Sequence, residues 1–247
     1  TANIDDGSCC LINQFIGQIG QDIEGELAND LFGWSVSLSS DGNTVAIGAP
    51  VNDGNGSGSG HVRIYENIGG SWSQIGQDID GEAPEDRSGY SLSLSSDGSI
   101  VAIGAVLNDD NGTQTGHVRI YENIGGSWFQ IGQDIDGEAA YDQFGISVSL
   151  SSYGNTIAIG AELNGGNGTY GGNGSYSGHV RIYKNISGTW SQIGQDIDGE
   201  LTFDHSGRSV SLSGDGSAVA IGAPHNDGNG SYSGHVRLFS IDNDCAG

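Results

Sequence analysis

Short runs in which apolar residues alternate with serine and other small residues follow one another along the chain. The run Gly33–Ser40 is followed by a Ser-Asp-Gly turn and the more apolar run Thr44–Pro50. A loop rich in Gly and Asn leads to Gly60–Asn67, and a second tight turn leads to Ser71–Ile79. Alternation with a period of two predicts β-strands, and no segment shows the 3.6-residue period of a helix. We call the four predicted strands A, B, C and D in chain order.

This four-strand pattern recurs along the whole chain. The first glutamine of each Gln-Ile-Gly-Gln-Asp motif marks the start of a unit, which gives units at residues 18–73, 74–129, 130–191 and 192–247. The third unit is longer because Gly166–Gly178 contains a near-duplication. Tandem four-stranded units predict a β-propeller, in which small residues let neighbouring sheets pack closely. A parallel β-helix fits less well because its coils would be shorter than these units.

The two ends of the chain predict how the units join. Leu11–Ile23 resembles a D strand without its sheet, and Gly234–Ser240 resembles a C strand without a D strand. Together they would complete one blade and remove two exposed sheet edges. We therefore expect an all-β, four-bladed β-propeller of four-stranded antiparallel blades at residues 11–247, closed by the N-terminal strand and preceded by a segment at 1–10. The alternative is four units of a larger ring.

Charge and cysteine positions narrow the cellular setting. The formal charge of −24 opposes binding to nucleic acid, and no run of about 18 apolar residues exists for membrane insertion. A disulfide between Cys245 and either Cys10 or Cys9 would lock the predicted joint. Such a bridge predicts an extracellular or cell-surface location. The chain has no Met and no signal segment at Thr1, so we expect a mature or excised piece of a longer protein.

The stretch Phe32–Pro50, followed by Gly60–Tyr65, resembles the FG-GAP repeat, the blade of integrin-α-type propellers. The Phe-Gly and Gly-Ala-Pro motifs are each kept in two of the four units. The resemblance covers Gln18 to Phe239 and implies the propeller fold. The opening segment Thr1–Cys10 resembles spacers of large secreted bacterial surface proteins. The family's calcium loop between strands A and B is shortened here to about five residues, so its calcium ligands cannot be carried over.

An acidic stretch of nine residues, Asp-Ile-Asp/Glu-Gly-Glu-x-x-x-Asp, leads from strand D toward the next strand A in all four units. Carboxylates at positions 1, 3, 5 and 9 around a glycine have a spacing found in calcium loops, which makes Ca²⁺ the candidate cofactor. The alternative is a structural turn whose carboxylates cap backbone N–H groups. The candidate ligands are Asp22, Glu24, Glu26, Asp30, Asp78, Asp80, Glu82, Asp86, Asp134, Asp136, Glu138, Asp142, Asp196, Asp198, Glu200 and Asp204.

The long loops between strands B and C should share one face of the propeller with the acidic stretches. They carry most of the Asn-x-Ser/Thr sequons, which are glycosylation sites in a eukaryote, although Asn-Gly is also ordinary turn chemistry. The sequons begin at Asn55, Asn111, Asn167, Asn173, Asn185 and Asn229. Aromatic residues that differ between units are the candidates for ligand binding, namely Trp34, Tyr90, Tyr170, Tyr176 and Tyr232.

The motif Gly-His-Val-Arg opens every strand C, and a residue that recurs with each blade is expected to serve the blade. Its arginines should pair with the acidic stretches, and the recurrent tryptophan of strand D should pack rather than bind sugar. The residues assemble no catalytic triad, phosphate loop or asymmetric acid/base pair, so we expect no enzyme. We expect a structural or adhesive module, which includes the subunit of a surface filament, with protein chains or glycans as partners. A lectin-like propeller using the acidic, long-looped face is the alternative.

Overall fold

The computed structural model describes residues 17–165 and 176–241, and these residues form four antiparallel sheets without a helix. No helical segment of these two ranges has the length and hydropathy that a membrane crossing needs. The strands are β1 (Ser35–Leu38), β2 (Thr44–Ala49), β3 (His61–Ile68), β4 (Ser71–Gln74), β5 (Ile79–Asp80), β6 (Ser88–Leu94), β7 (Ile100–Ala105), β8 (His117–Ile124), β9 (Ser127–Gln130), β10 (Ile135–Asp136), β11 (Ser147–Leu150), β12 (Thr156–Ala161), β13 (His179–Ile186), β14 (Thr189–Asp198), β15 (Ser209–Leu212), β16 (Ala218–Ala223) and β17 (His235–Ser240).

Each sheet is a meander in which strands A, B and C pair in chain order. The first sheet contains β1–β5, the second β6–β10, the third β11–β14 and the fourth β15–β17. Strand D is divided in the first sheet, where β4 and β5 both pair with β3. The division spans residues 75–78 in the first sheet and 131–134 in the second, whereas strand D of the third sheet is continuous as β14. The predicted strands are therefore confirmed, with strand D interrupted in two sheets.

Neighbouring sheets approach each other closely along their inner strands because glycine and serine lie there. A Cβ atom on Gly48 of β2 would overlap the carbonyl oxygen of Gly89 in the next sheet. Ser35 Oγ donates a hydrogen bond to that same carbonyl over 2.7 Å. Equivalent bonds join the second sheet to the third and the third to the fourth. The small residues of the repeat thus set the distance between the sheets.

Apolar residues of strands B and C fill the three spaces between consecutive sheets. Val62 and Ile64 of the first sheet pack with Leu94, Val101 and neighbouring residues of the second. The corresponding layers of the second and third sheets, and of the third and fourth, form two further clusters. This burial supplies most of the apolar stabilisation expected of such an array.

The recurrent tryptophan of strand D ties each sheet to the one before it. Trp128 Nε1 donates to the carbonyl oxygen of Ile75, and Trp190 Nε1 donates to that of Ile131, both over 2.9 Å. Both indoles are buried, which confirms the expectation that they pack. Trp72 makes the equivalent bond to Ile19 in the N-terminal segment.

The described part of the N-terminal segment therefore lies against the first sheet as a D strand lies against the next sheet in the other units. The fourth sheet has three strands, and residues 17–23 do not pair with β17. The number of blades and the closure of the ring stay predictions. The disulfide residues Cys9, Cys10 and Cys245 lie outside the described residues.

Candidate functional site

The acidic stretches and the B–C loops meet on one face, as the repeat predicts. The side-chain amide of Asn55 in the first B–C loop donates to the carbonyl oxygens of Gly81 and Glu82, each over 2.9 Å. Asn111 makes the equivalent bond to Gly137 over 2.8 Å. The first two B–C loops are thus joined to the acidic stretch that follows their own sheet.

The aspartate at position 9 of each acidic stretch is buried and holds two loops together. Asp142 Oδ2 accepts hydrogen bonds from the backbone N–H of Ala139 at 3.1 Å and from Asn164 Nδ2 at 2.8 Å. The same pairing recurs in the other units as Asp30 with Asn52, Asp86 with Asn108 and Asp204 with Asn226. The sequence analysis did not single out this asparagine, although it recurs 22 residues after the aspartate in every unit.

Carboxylates at positions 1 and 5 meet the arginine of strand C in the first and third sheets. Arg63 binds Asp78 through two hydrogen bonds of 2.9 and 2.8 Å and also contacts Glu26 of the preceding stretch. Arg181 does the same with Asp196 and Glu138. Each guanidinium bridges two consecutive acidic stretches, which confirms the expected pairing.

These contacts also set the acidity of the carboxylates. Burial would raise the pKa of Asp78, but hydrogen bonds from Arg63 and Gln74 outweigh it and hold that pKa below its usual value. The same balance lowers the pKa of Asp196, with Arg181 and Gln192 as the donors. Both groups are therefore ionised near neutral pH and supply the negative charge that Arg63 and Arg181 pair with.

Position 3 of the stretches lies apart from these clusters. Its residues are exposed, and none is grouped with a histidine in the described residues: Glu24, Asp80, Asp136 and Asp198. The candidate ligands thus fall into three groups. The aspartates at position 9 are buried and join two loops, carboxylates at positions 1 and 5 bind arginine in two sheets, and those at position 3 are exposed. Calcium binding by all four carboxylates of a stretch stays a prediction. Among the described residues, Asp22 and Glu200 belong to no group of three or more potential metal ligands.

Positions 1 and 5 also come together with the histidine of strand C. Three such groups have ligand atoms within 4.8 Å of one another: Glu26, His61 and Asp78; Glu82, Asp110, His117 and Asp134; and Glu138, His179 and Asp196. The histidines are buried, and burial lowers the pKa of each imidazole. They are therefore neutral near pH 7. The histidine and Asp110 were not among the candidate ligands, because they lie far from the acidic stretch in sequence.

The variable aromatic residues line two openings. Trp34 and Tyr90 have ring centroids 5.3 Å apart and border a cavity of about 250 Å³ together with Arg87 and Pro50. Tyr176 and Tyr232 border a second opening with Phe203, His205 and His225. Tyr170 lies outside the described residues. The structure thus brings Trp34 and Tyr90 together, as two candidates from adjacent sheets.

The sequon asparagines have mixed surroundings. Asn55 and Asn111 use their side-chain nitrogens in the loop contacts described above. Asn185 accepts a hydrogen bond from the N–H of Gly188, and the backbone N–H of Asn229 donates to Ser233 Oγ. These bonds show a turn-forming role, while glycosylation stays a prediction. Asn167 and Asn173 lie outside the described residues.

We expect Asp142→Asn to stabilise the protein above pH 6, because burial raises the pKa of this carboxyl to about 6 from 3.8. Below 3.8 the group is protonated in both states. As the pH rises from there through 6, the unfolded chain loses its proton first, so the folded state loses relative stability. The expected gain is about 1–3 kcal/mol at pH 8 and shrinks toward pH 4.

Urea unfolding at pH 4.5 and pH 8 measures this difference. Glu24→Gln serves as the matched control, since it removes one negative charge from an exposed position. A variant that is less stable than the wild type at pH 8 would contradict the expectation.

Comparison with known proteins identifies the repeat. The family model described as "FG-GAP repeat" matches residues 24–65, 135–183 and 198–239, which together make up more than half of the chain. Among curated protein sequences we find no significant match.

The similar solved structures are distant. They include 6-phosphogluconolactonases, so named, from Bacteroides fragilis (14% identity, TM-score 0.46) and Bacteroides uniformis (12%, 0.47), and a hydrazine synthase from Kuenenia stuttgartiensis (14%, 0.47). The aligned regions cover 68%, 90% and 84% of this chain, respectively. They cover 39%, 71% and 58% of those chains, so this chain spans well under two thirds of two of them. Likeness at this level carries no inference about activity.

Proposed function

Because this chain belongs to the FG-GAP repeat family, we propose that it is an extracellular structural and adhesive propeller module that acts by joining protein surfaces. FG-GAP repeats are typical of extracellular and surface proteins, which supports this location. The protein surfaces that it joins include those of its own two end sheets, the first sheet and the fourth. The observation that carries the proposal is the exposure of apolar faces at both ends of the array.

Each end sheet exposes the apolar face that the inner sheets bury. Leu238 on β17 is 76% exposed, whereas Ile64 and Ile120 at the equivalent positions are fully buried. At the other end, Leu38 on β1 is 58% exposed, whereas its counterpart Leu94 is buried. Exposed apolar faces of this kind mark surfaces of protein–protein contact. The two faces are complementary, because the repeat already packs one against the other three times.

Polar groups at the two ends also match. Arg63 and Arg181 each donate through Nε to an aspartate at position 1 of a stretch. The Nε of Arg237 on the last strand is buried without a hydrogen-bond partner among the described residues. Asp22, the position-1 residue of the first stretch, accepts a hydrogen bond from Gln18. Joining the ends would give Arg237 and Asp22 the partners that the repeat provides elsewhere.

The same joint can form within one chain or between chains. Within a chain it closes a four-bladed ring, whose last blade contains both termini. Between chains it is a head-to-tail contact, which builds a filament when the rotation does not close. Either form makes the chain a structural module, and the second makes it the subunit of a surface filament.

The variant Leu238→Asp tests the joint by burying a charge in it. Light scattering after size exclusion and thermal melting are measured over a hundredfold range of protein concentration. Loss of larger assemblies supports the filament, and a lower melting temperature of a monomer supports the closed ring. Ile124→Asp is the control, because Ile124 is also exposed (58%) but is the last residue of β8, in an inner sheet. If Leu238→Asp changes neither property, the proposal fails.

A lectin role is the second candidate, and the pairing of Trp34 with Tyr90 favours it. Aromatic faces beside polar groups suit a sugar ring, and the long-looped face is the one with variable residues. A glycan array with the wild type and Trp34→Ala tests it, with Tyr153→Ala as the control for an exposed aromatic. A glycan that binds the wild type and Tyr153→Ala but not Trp34→Ala would support the lectin role. If no glycan binds the wild type, the lectin role is wrong.

We also propose that the chain has no catalytic activity of its own. In support, the recurrent histidines and arginines of strand C hold structural positions in consecutive sheets. His205 and His225 occur once each, with ring centroids 4.5 Å apart, and His205 lies 3.5 Å from Glu162. No serine, threonine or cysteine lines the opening that these histidines border in the described residues.

A further inference from the structure

We propose that the second sheet carries a divalent metal site formed by Glu82, Asp110, His117 and Asp134, with Zn²⁺ as its ion. One ligand atom from each residue lies within 4.8 Å of the other three. The four residues are therefore close enough to share a single ion once their side chains turn toward it. The site goes beyond the structural role proposed above and does not depend on it.

The first observation that points to a ligand is His117. Its side chain is 1% exposed, and neither ring nitrogen has a hydrogen-bond partner in the described residues. Nδ1 faces the carboxylate of Glu82 at 3.8 Å. Buried polar groups are almost always bonded, and a metal ion beside Nδ1 would provide the missing partner. Burial, with a smaller effect of Arg119, lowers the pKa of His117 to about 4, so the ring is neutral as a ligand must be.

The second observation is the position of the arginine. In the first and third sheets, Arg63 and Arg181 fill the space between the two carboxylates of their cluster. In the second sheet, Arg119 keeps a contact with Glu82 through Nη1, but its Nη2 donates to the backbone carbonyl oxygen of Asp80 over 2.7 Å instead of bridging two carboxylates. Asp134 is hydrogen-bonded to Gln130 rather than to the arginine. The position between the two carboxylates, which a guanidinium occupies in the first and third sheets, is therefore available to a metal cation in the second sheet.

The third observation is Asp110, a carboxylate that only this B–C loop contributes. The equivalent positions in the sequence are Gly54, Gly166 and Gly228. Asn108 fixes the orientation of Asp110, because its Nδ2 donates to Asp110 Oδ2 at 3.2 Å and its Oδ1 accepts from the Asp110 N–H at 3.0 Å. The second cluster thus has one carboxylate more than the others.

The crowding of carboxylates leaves this cluster short of positive charge. Arg119 Nη1 lies 3.4 Å from Glu82, one of the three carboxylates of the cluster. Burial, together with repulsion from Asp134 and Asp110, raises the pKa of Glu82 despite that arginine. A divalent cation would relieve this repulsion.

The donor set selects the metal. Zn²⁺ binds imidazole nitrogen and carboxylate oxygen in four-coordinate sites, which matches one histidine and three carboxylates. Ca²⁺ takes about 6–8 ligands, all of them oxygen, and a buried imidazole is not among them. The site therefore differs from the calcium loops that the acidic stretches suggest by sequence alone.

Calorimetric titration of tag-free, chelator-treated protein with ZnCl₂ tests the site, with bound zinc counted by elemental analysis. We expect one tightly bound Zn²⁺ per chain, and at least tenfold weaker binding in Asp110→Gly, which restores the glycine of the other loops. Asp109→Gly is the matched control, because it removes the adjacent charge and Gly165 stands at that position in the third unit. Binding of Co²⁺ with a visible spectrum showing nitrogen ligation in the wild type, and not in His117→Asn, would identify His117 as the nitrogen ligand.

Equal affinity of the wild type and Asp110→Gly would overturn the site, as would an equal loss in Asp109→Gly. Displacement of Zn²⁺ by equimolar Ca²⁺ would overturn the choice of ion. The Leu238→Asp variant should bind Zn²⁺ as the wild type does, so failure of the end-to-end joint and failure of the metal site can be told apart.

Discussion

Replacing Phe144 by alanine is expected to lower the free energy of unfolding by about 3–5 kcal/mol, the usual range for a large aromatic residue in a core. Phe144 is fully buried at the start of the third sheet and lies within the cluster shared by the second and third sheets. Its ring meets Tyr183 and His179 edge-on, with centroids 6.4 Å apart in both pairs. Backbone contacts fix the distance between the neighbouring sheets, so the sheets cannot move together to fill the cavity that the missing ring would leave.

Ser88 provides the matched control, since it occupies the same position in the second sheet. Its hydroxyl is buried without a hydrogen-bond partner among the described residues, so Ser88→Ala removes an unsatisfied group and should change stability by less than about 0.5 kcal/mol. Urea unfolding of both variants gives the comparison. A loss below about 1 kcal/mol for Phe144→Ala would show that the junction repacks, contrary to the rigid packing inferred here.

The second large effect is expected for Gly104→Ala, at the close approach between the second and third sheets. A Cβ atom there would overlap the carbonyl oxygen of Gly145, a backbone atom that cannot rotate away. The backbone of Gly104 does not have a positive φ, so steric overlap alone causes the loss. We expect a destabilisation of about 3 kcal/mol, at the upper end for overpacking.

Gly222→Ala is the informative comparison because Gly222 holds the same place in the last sheet. There, a Cβ atom would meet only Ser209 of its own sheet among the described residues. Thermal unfolding at low protein concentration should therefore show a smaller loss than for Gly104→Ala. An equal loss would mean that the first sheet packs on the fourth within one chain, with Gly33 in the role of Gly145. Gly104→Ala with wild-type stability would contradict the close approach itself.

The repeated acidic stretch has two structural roles that together explain its conservation from unit to unit within the chain. The aspartate at position 9 joins the stretch to an asparagine of the nearest B–C loop, as Asp142 does with Asn164. The carboxylates at positions 1 and 5 share an arginine, as Asp78 and Glu26 share Arg63. Part of the formal negative charge on this face is thus compensated locally by the strand C arginines.

The strands, their antiparallel order and the unit length could be predicted from the sequence. Alternation with period two and the recurring turns determine these features locally. The small residues of strands A and B predicted the close packing of the sheets. The pairing of strand C arginines with the acidic stretches was also predictable, because both recur once per unit. Local pattern and repeat length need no knowledge of long-range contacts.

The tertiary structure decided which carboxylates face which partners. Asp142 and Asn164 lie 22 residues apart and meet only when the loop folds onto the stretch. Asp110 and His117 join Glu82 and Asp134 through contacts between two consecutive sheets, and the different position of Arg119 has no signal in its Gly-His-Val-Arg motif. Side-chain placement depends on the summed packing and charge of several segments. The sequence by itself therefore determined the repeating sheets, and the assembled sheets determined where an ion, a partner or a second end can bind.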